Sequence, residues 1–143
     1  LEVALLNQGF KDIVCVDYNL QYLKVGREVL RRYRELPLIR SDANLLPFIG
    51  EIFDIIAFLD ISYFASINLE ACFDEIFRLL KPGGILIIDL YETSESRDEK
   101  SYLVDDVVRL ARAYSSHPIG FLPIYHPGII VSYGYIMAIR KEQ

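Results

Sequence analysis

Two short apolar runs end in aspartates, and a carboxylate at the end of a strand can hold a nucleotide. Ile13-Val14-Cys15-Val16 stops abruptly at Asp17, followed by Tyr18 and Asn19. This is the pattern of a buried parallel strand that carries one acid to the carboxyl edge of a sheet. An acid there accepts both hydroxyls of a ribose. Leu38-Ile39-Arg40-Ser41 is a shorter strand candidate that ends near Asp42-Ala43. Phe53-Asp54-Ile55-Ile56-Ala57-Phe58-Leu59, the most apolar candidate, ends at Asp60. Open α/β sheets bind ligands beyond the carboxyl ends of their strands, and Asp17, Tyr18, Asp42, Ala43 and Asp60 lie at or just beyond such ends. Each has a plainer reading. Asp17 can cap the next helix, although Asn19 is the better cap. Tyr18 can be ordinary packing, and Asp42 can form a turn.

Other reactive side chains are few. His117 and His126 stand beside prolines and read either as bases near neutral pH or as turn residues. Cys15 and Cys72 fall in apolar runs of a strand and a helix, which predicts buried free thiols in a reducing compartment, hence the cytoplasm. The histidines are far from either cysteine, and no metal site is expected. The formal net charge of -5 argues against a nucleic-acid footprint. Arg27, Arg31, Arg32 and Arg34 read with Glu28 and Glu35 as a solvated face. No run reaches the ~18 apolar residues of a membrane span, and no signal-peptide pattern is read. A length of 143 residues with 52% hydrophobic content predicts one domain with an ample core.

The elements that position these residues follow from period and punctuation. Leu1 to Phe10 reads as the end of a helix, with Gly9 near its C-cap. After the strand Ile13–Asp17, Asn19 caps a helix whose Tyr22, Val25, Gly26, Val29, Leu30 and Tyr33 recur at helical spacing and predict one buried face. Leu36-Pro37 is its expected stop. Asn68 caps another helix, in which Leu69, Cys72, Phe73, Ile76, Phe77 and Leu80 form an apolar stripe. Lys81-Pro82-Gly83-Gly84 ends it and leads into the strand Ile85–Leu90. A last helix runs from Leu103 to Tyr114. Phe121–Tyr125 and Ile129–Ile139, split by His126-Pro127-Gly128, predict an antiparallel pair. The expected fold class is α/β: a Rossmann-like open sheet, mostly parallel, with an antiparallel C-terminal edge strand.

Four landmarks from Leu1 to about Leu90 together resemble a class I S-adenosylmethionine-dependent methyltransferase. They are Val16-Asp17-Tyr18, Ser41-Asp42-Ala43-Asn44-Leu45-Leu46-Pro47-Phe48, Phe53-Asp54-Ile55-Ile56 and Phe77-Arg78-Leu79-Leu80-Lys81-Pro82-Gly83-Gly84. The resemblance implies S-adenosylmethionine as cofactor. Asp17 would hold the ribose hydroxyls, and Tyr18 would pack on the adenine. Asp42 would accept from the adenine amino group with the Ala43 backbone beside it. Asp60 would face the methionine end and the acceptor. Asp60-Ile61-Ser62-Tyr63 is similar to the acid-x-proline-aromatic motif of amino-group methyltransferases, but serine replaces the proline and coincidence is the reading adopted. Tyr91 and Glu92 would border the acceptor pocket, and residues 93–100 read as a solvated loop or lid.

The sequence departs from the family at its start. The family's first strand and glycine-rich turn belong before Leu1, and the chain opens inside a helix-like stretch. We expect upstream residues, so that 1–143 is a single, N-terminally incomplete domain with its first strand missing. A gap filled by another chain would also account for this start, as would a remnant that no longer binds the cofactor. The expected function is methyl transfer from S-adenosylmethionine to an unidentified acceptor, a small molecule, with no nucleic-acid or membrane partner and with a homodimer as an option. The alternative is a catalytically inactive methyltransferase-like domain acting as an assembly or regulatory partner. A nicotinamide-dependent dehydrogenase also places an acid after its second strand, but the run through Gly84 fits it less well.

Overall fold

Asn19 and Asn68 do what their positions predict. Each stands in extended geometry before a helix, and each side chain accepts a backbone N–H, from Gln21 at 2.9 Å and from Ala71 at 3.2 Å. The structure is a computed structural model that describes residues 1–31, 36–59, 68–92, 104–115, 118–125 and 133–142. These residues form two units, Leu1–Pro47 and Phe48–Gln143.

The first unit holds α1 (Glu2–Asn7), β1 (Cys15–Asp17), α2 (Leu20–Val29) and β2 (Leu38–Arg40). Gly9, at a φ of 86°, closes α1, with Phe10 N–H donating to Leu5 O. A residue with no Cβ suits that left-handed position. β1 and β2 pair in parallel, with Cys15 opposite Leu38 and Asp17 opposite Arg40. β1 is shorter than its apolar run predicts. A strand extends only as far as its partner, and β2 begins after Pro37, whose carbonyl accepts from Cys15 N–H at 3.0 Å. The predicted buried face of α2 is corrected. Tyr22, Val25 and Val29 are exposed, and Leu30, the C-cap residue, is the buried member of the stripe. Period fixes which residues share a face; burial needs a neighbour that fills the space, and Leu1, Glu2 and Val3 only border an open pocket with Tyr22, Val25 and Val29. The helix also ends at Val29, ahead of the predicted stop at Leu36-Pro37.

The second unit holds β3 (Phe53–Phe58), α3 (Leu69–Leu79), β4 (Leu80–Glu92), α4 (Val104–Tyr114), β5 (Pro118–Tyr125) and β6 (Tyr133–Arg140). Its sheet runs β3-β4-β6-β5. β3 and β4 are parallel, while β6 is antiparallel to both β4 and β5. The reversed strand therefore lies one place in from the edge, between β4 and β5. The parallel β3–β4 pair is joined through α3, the crossover that parallel strands require. This unit is an α/β open sheet, as the alternation of its elements predicts.

The core of this unit is the predicted α3 stripe against one face of the sheet. Leu69, Phe73, Ile76 and Phe77 pack with Leu86, Ile88 and Leu90 of β4, Val107 and Ala111 of α4, and Met137 and Ile139 of β6. Leu86, Ile88 and Leu90 alternate along β4 and point into this core, as the pleat dictates. Cys72 is buried within α3. Tyr114 of α4 stacks on Phe77, with ring centroids 4.5 Å apart, and its hydroxyl donates to Asp74.

Burial, and then that bond to Asp74, pushes the Tyr114 phenol up from 10.0 to about 12. The fold favours the protonated form, so its contribution is full below pH 10.0 and is lost as pH rises through about 12. In an alkaline tyrosinate titration one tyrosine should ionise late, and Tyr114→Phe should remove that late fraction. An unchanged late fraction would sink the assignment.

The start of β4 is held from several sides. Gly83 has a φ of 76°, outside the range that suits side chains. A Cβ on Gly84 would lie 2.9 Å from Lys81 O and 3.2 Å from Asp54 O, both backbone atoms. Lys81 Nζ donates to both carboxylate oxygens of Asp54 at 2.9 Å. Arg78 bonds Glu75 through two nitrogens at 2.7 Å and also donates to Phe48 O at 3.0 Å. Gly84→Ala should cost about 1–3 kcal/mol through overpacking. Gly26→Ala, where no atom lies within 4 Å of the new Cβ, should instead gain about 0.5–1 kcal/mol in its helix. Urea unfolding of the two variants should show opposite signs, and equal effects would refute the steric account.

Candidate functional site

The parallel register of β1 and β2 brings four of the predicted site residues together. Asp17 and Arg40 are the last residues of their strands and face each other across the pair. Tyr18 follows Asp17, and Asp42-Ala43 follows Arg40 with Ser41 between. Ser41 N–H donates to Asp17 O at 3.2 Å, which ties the two strand ends together. Adjacent strands lie about 4.8 Å apart, so the two acids stand on neighbouring strand ends. Asp60 lies outside the described residues, as do Ile61, Ser62, Tyr63, residues 93–100, His117 and His126.

The plainer readings of both aspartates are realised, and each uses one oxygen. Asp17 Oδ1 accepts from Asn19 N–H at 2.7 Å. Asp42 Oδ1 accepts from Asn44 N–H at 2.8 Å and Asn44 Nδ2 at 2.7 Å. Among the described residues neither Oδ2 accepts a hydrogen bond. The Asp42 turn is closed by Leu45 N–H to Asp42 O at 3.1 Å and by Ser41 Oγ to Leu45 O at 3.0 Å. These bonds fix the carboxylates in direction and leave acceptor capacity on each. Acceptors of this kind suit hydroxyls and amino groups.

Tyr18 is 68% exposed, so it is not core packing. Arg40 donates from Nε to Tyr18 O at 3.1 Å, and its guanidinium carbon lies 5.5 Å from the Tyr18 ring centroid. The sequence alone assigns Arg40 no role beyond its place in a short strand. The signal that finds it is the register, which sets it opposite Asp17.

Cys15 lies beside this site but is unsuited to reaction. Burial, and then the charge and hydrogen bond of Glu2, push its thiol up from 9.0 to about 12. A thiol held protonated is a poor nucleophile and metal ligand.

A protein-family model described as a methyltransferase domain matches residues 1–88. The chain belongs to the methyltransferase-domain family. The match spans all four sequence landmarks and both strand ends of the candidate site. A demethylmenaquinone methyltransferase of Mycobacterium sp. (strain KMS) is 29% identical over 113 residues, which are 76% of this chain and 46% of that protein. The chain thus spans about half the length of the curated relatives it matches. Among solved structures, the PH0226 protein of Pyrococcus horikoshii OT3 shares 21% identity at a TM-score of 0.80, over 99% of this chain and 76% of that one. The N-methyltransferase NodS of Bradyrhizobium japonicum WM9, solved in complex with S-adenosyl-L-homocysteine, shares 13% identity at a TM-score of 0.76, over 91% of this chain and 66% of that one. The fold is that of Rossmann-like methyltransferases. Among the described residues no helix is long and apolar enough to cross a membrane.

Proposed function

We propose that this methyltransferase domain binds S-adenosylmethionine through Asp17, Tyr18, Asp42 and Ala43 and serves methyl transfer to a small-molecule acceptor. The observation that carries the reading is the pairing of two strand ends that present two part-used carboxylates side by side. Asp17 accepts the ribose hydroxyls at Oδ2, while Oδ1 stays on Asn19 N–H. Asp42 accepts from the adenine amino group, and the Ala43 backbone lies alongside. Tyr18 offers its ring to the adenine face.

The donor set fits the group chemically. Ribose hydroxyls and an adenine amino group are donors, and the site supplies acceptors and an aromatic surface. When bound, the cofactor supplies an electrophilic methyl group on a sulfonium. The residues named here bind and orient; they take no proton in the transfer. Methyl transfer needs chiefly alignment and exclusion of water, so fixing the nucleotide end contributes by positioning.

The acceptor is a small molecule in this reading, and the relatives named as demethylmenaquinone methyltransferases support that class. The test has two parts. Calorimetry should give micromolar S-adenosyl-L-homocysteine binding, about -8 kcal/mol. A methyl-release assay across phenolic, quinol and amine acceptors should then show turnover with one class. A folded protein that binds no S-adenosyl-L-homocysteine would refute the proposal.

A further inference from the structure

We propose that Arg40 is a positioning residue that holds the Tyr18 ring as a preformed stacking surface. The proposal rests on the cofactor reading above for the ligand that this surface serves, and on geometry for the clamp itself. Tyr18 follows the last residue of β1, with its side chain in solvent. An exposed tyrosine on a turn has several rotamers, and ordering it on binding weakens affinity. Arg40 opposes this ordering cost in two ways. Its Nε bonds the carbonyl of Tyr18 at 3.1 Å, which ties the backbone of the turn to β2. Its guanidinium lies over the ring at 5.5 Å, within the range of a cation–π contact. One residue thus restrains both the main chain and the side chain of Tyr18.

Arginine is the suitable residue for this task. Its planar fork has donors at fixed angles, so one nitrogen can bond a carbonyl while the plane meets an aromatic face. A lysine would retain the charge and lose the fixed geometry. Tyr18 keeps most of its surface exposed with Arg40 in place, so a planar heterocycle can lie on what Arg40 leaves open. Arg40 also carries a positive charge at the strand end opposite Asp17. Neither the Asp17 nor the Asp42 carboxylate forms an ion pair with it among the described residues, which leaves both acids to other donors.

The experiment is a double-mutant cycle in the full chain, read by calorimetry with S-adenosyl-L-homocysteine. Arg40→Ala should weaken binding by about three- to ten-fold with unchanged thermal stability, and Arg40→Lys should restore part of it. In a Tyr18→Ala background Arg40→Ala should have a clearly smaller effect, because the ring contact is gone and only the bond to the main-chain carbonyl remains. Additive losses, or no loss from Arg40→Ala, would overturn the proposal. A second readout needs no ligand. The chain has no tryptophan, so Tyr18→Trp places a single reporter at this position. Adding Arg40→Ala should lower its fluorescence anisotropy, and an unchanged anisotropy would overturn the clamp. If the unsubstituted chain binds no S-adenosyl-L-homocysteine, the cofactor reading fails, and the anisotropy alone decides whether Arg40 sets the ring.

Discussion

Asp17→Asn should weaken S-adenosyl-L-homocysteine binding by roughly 30- to 1,000-fold, a loss of about 2–4 kcal/mol. The magnitude follows from the type of bond. Hydrogen bonds to a charged acceptor contribute about 1.5–3 kcal/mol each, and two to one carboxylate do not add fully. Asparagine is the informative substitution, because its side-chain oxygen can still accept from Asn19 N–H at the position of Oδ1. The turn into α2 is retained, and the change falls on the charge and on the second oxygen. Folding stability should therefore move by less than about 0.5 kcal/mol, as for a surface change without a structural role. Calorimetric titration gives the affinity and urea unfolding gives the control. Equal affinity in the variant would remove Asp17 from the site. A large loss of stability would assign Asp17 to the turn instead.

Phe73→Ala should produce the largest loss of stability in the second unit, about 3–5 kcal/mol. Phe73 is fully buried on the α3 stripe, with the rings of Phe77 and Tyr114 both 6.0 Å away. Its removal leaves a cavity between α3, α4 and β4, and the backbone of a packed helix closes such a space only in part. Domains of this kind have a total stability of about 5–15 kcal/mol, so the loss is a large share. With a urea dependence of about 1–3 kcal/mol per molar, the midpoint should fall by about 2 M. Tyr22→Ser, at an exposed position of the first unit, should change stability by less than about 0.5 kcal/mol. A midpoint shift under about 0.5 M for Phe73→Ala would show that α3 is not the centre of this core.

The two predictions probe different links. Phe73 tests whether the apolar stripe of α3 is the surface on which the β3–β4 pair is built. Asp17 tests whether a strand end presents a ligand acceptor.

The features legible from the residues alone are local. The caps at Asn19 and Asn68, the α3 stripe from Leu69 to Phe77 and the α/β alternation all depend on residues within a few positions of one another, whereas the exact end of α3, at Leu79 ahead of the predicted Lys81-Pro82, does not. The run through Gly83-Gly84 also marks the family, because its constraints are steric and backbone-bound: Gly83 requires its φ, and Gly84 has no room for a Cβ. Tertiary structure alone decided the rest. The length of β1 depends on where β2 begins, more than twenty residues later in the chain. The place of β6, between β4 and β5, depends on which strand it pairs with, and period does not encode that choice. Period placed Tyr22, Val25 and Val29 on one face of α2 but left open whether anything covers it. Asp17 and Asp42 were legible as acids at or just past strand ends. The bond that each keeps is local, to a residue two positions on, but that Arg40 lies on Tyr18 across 22 positions of sequence follows only from the pairing of two strands. Hydrogen bonds between residues distant in sequence are set by register, and register is a property of two segments together.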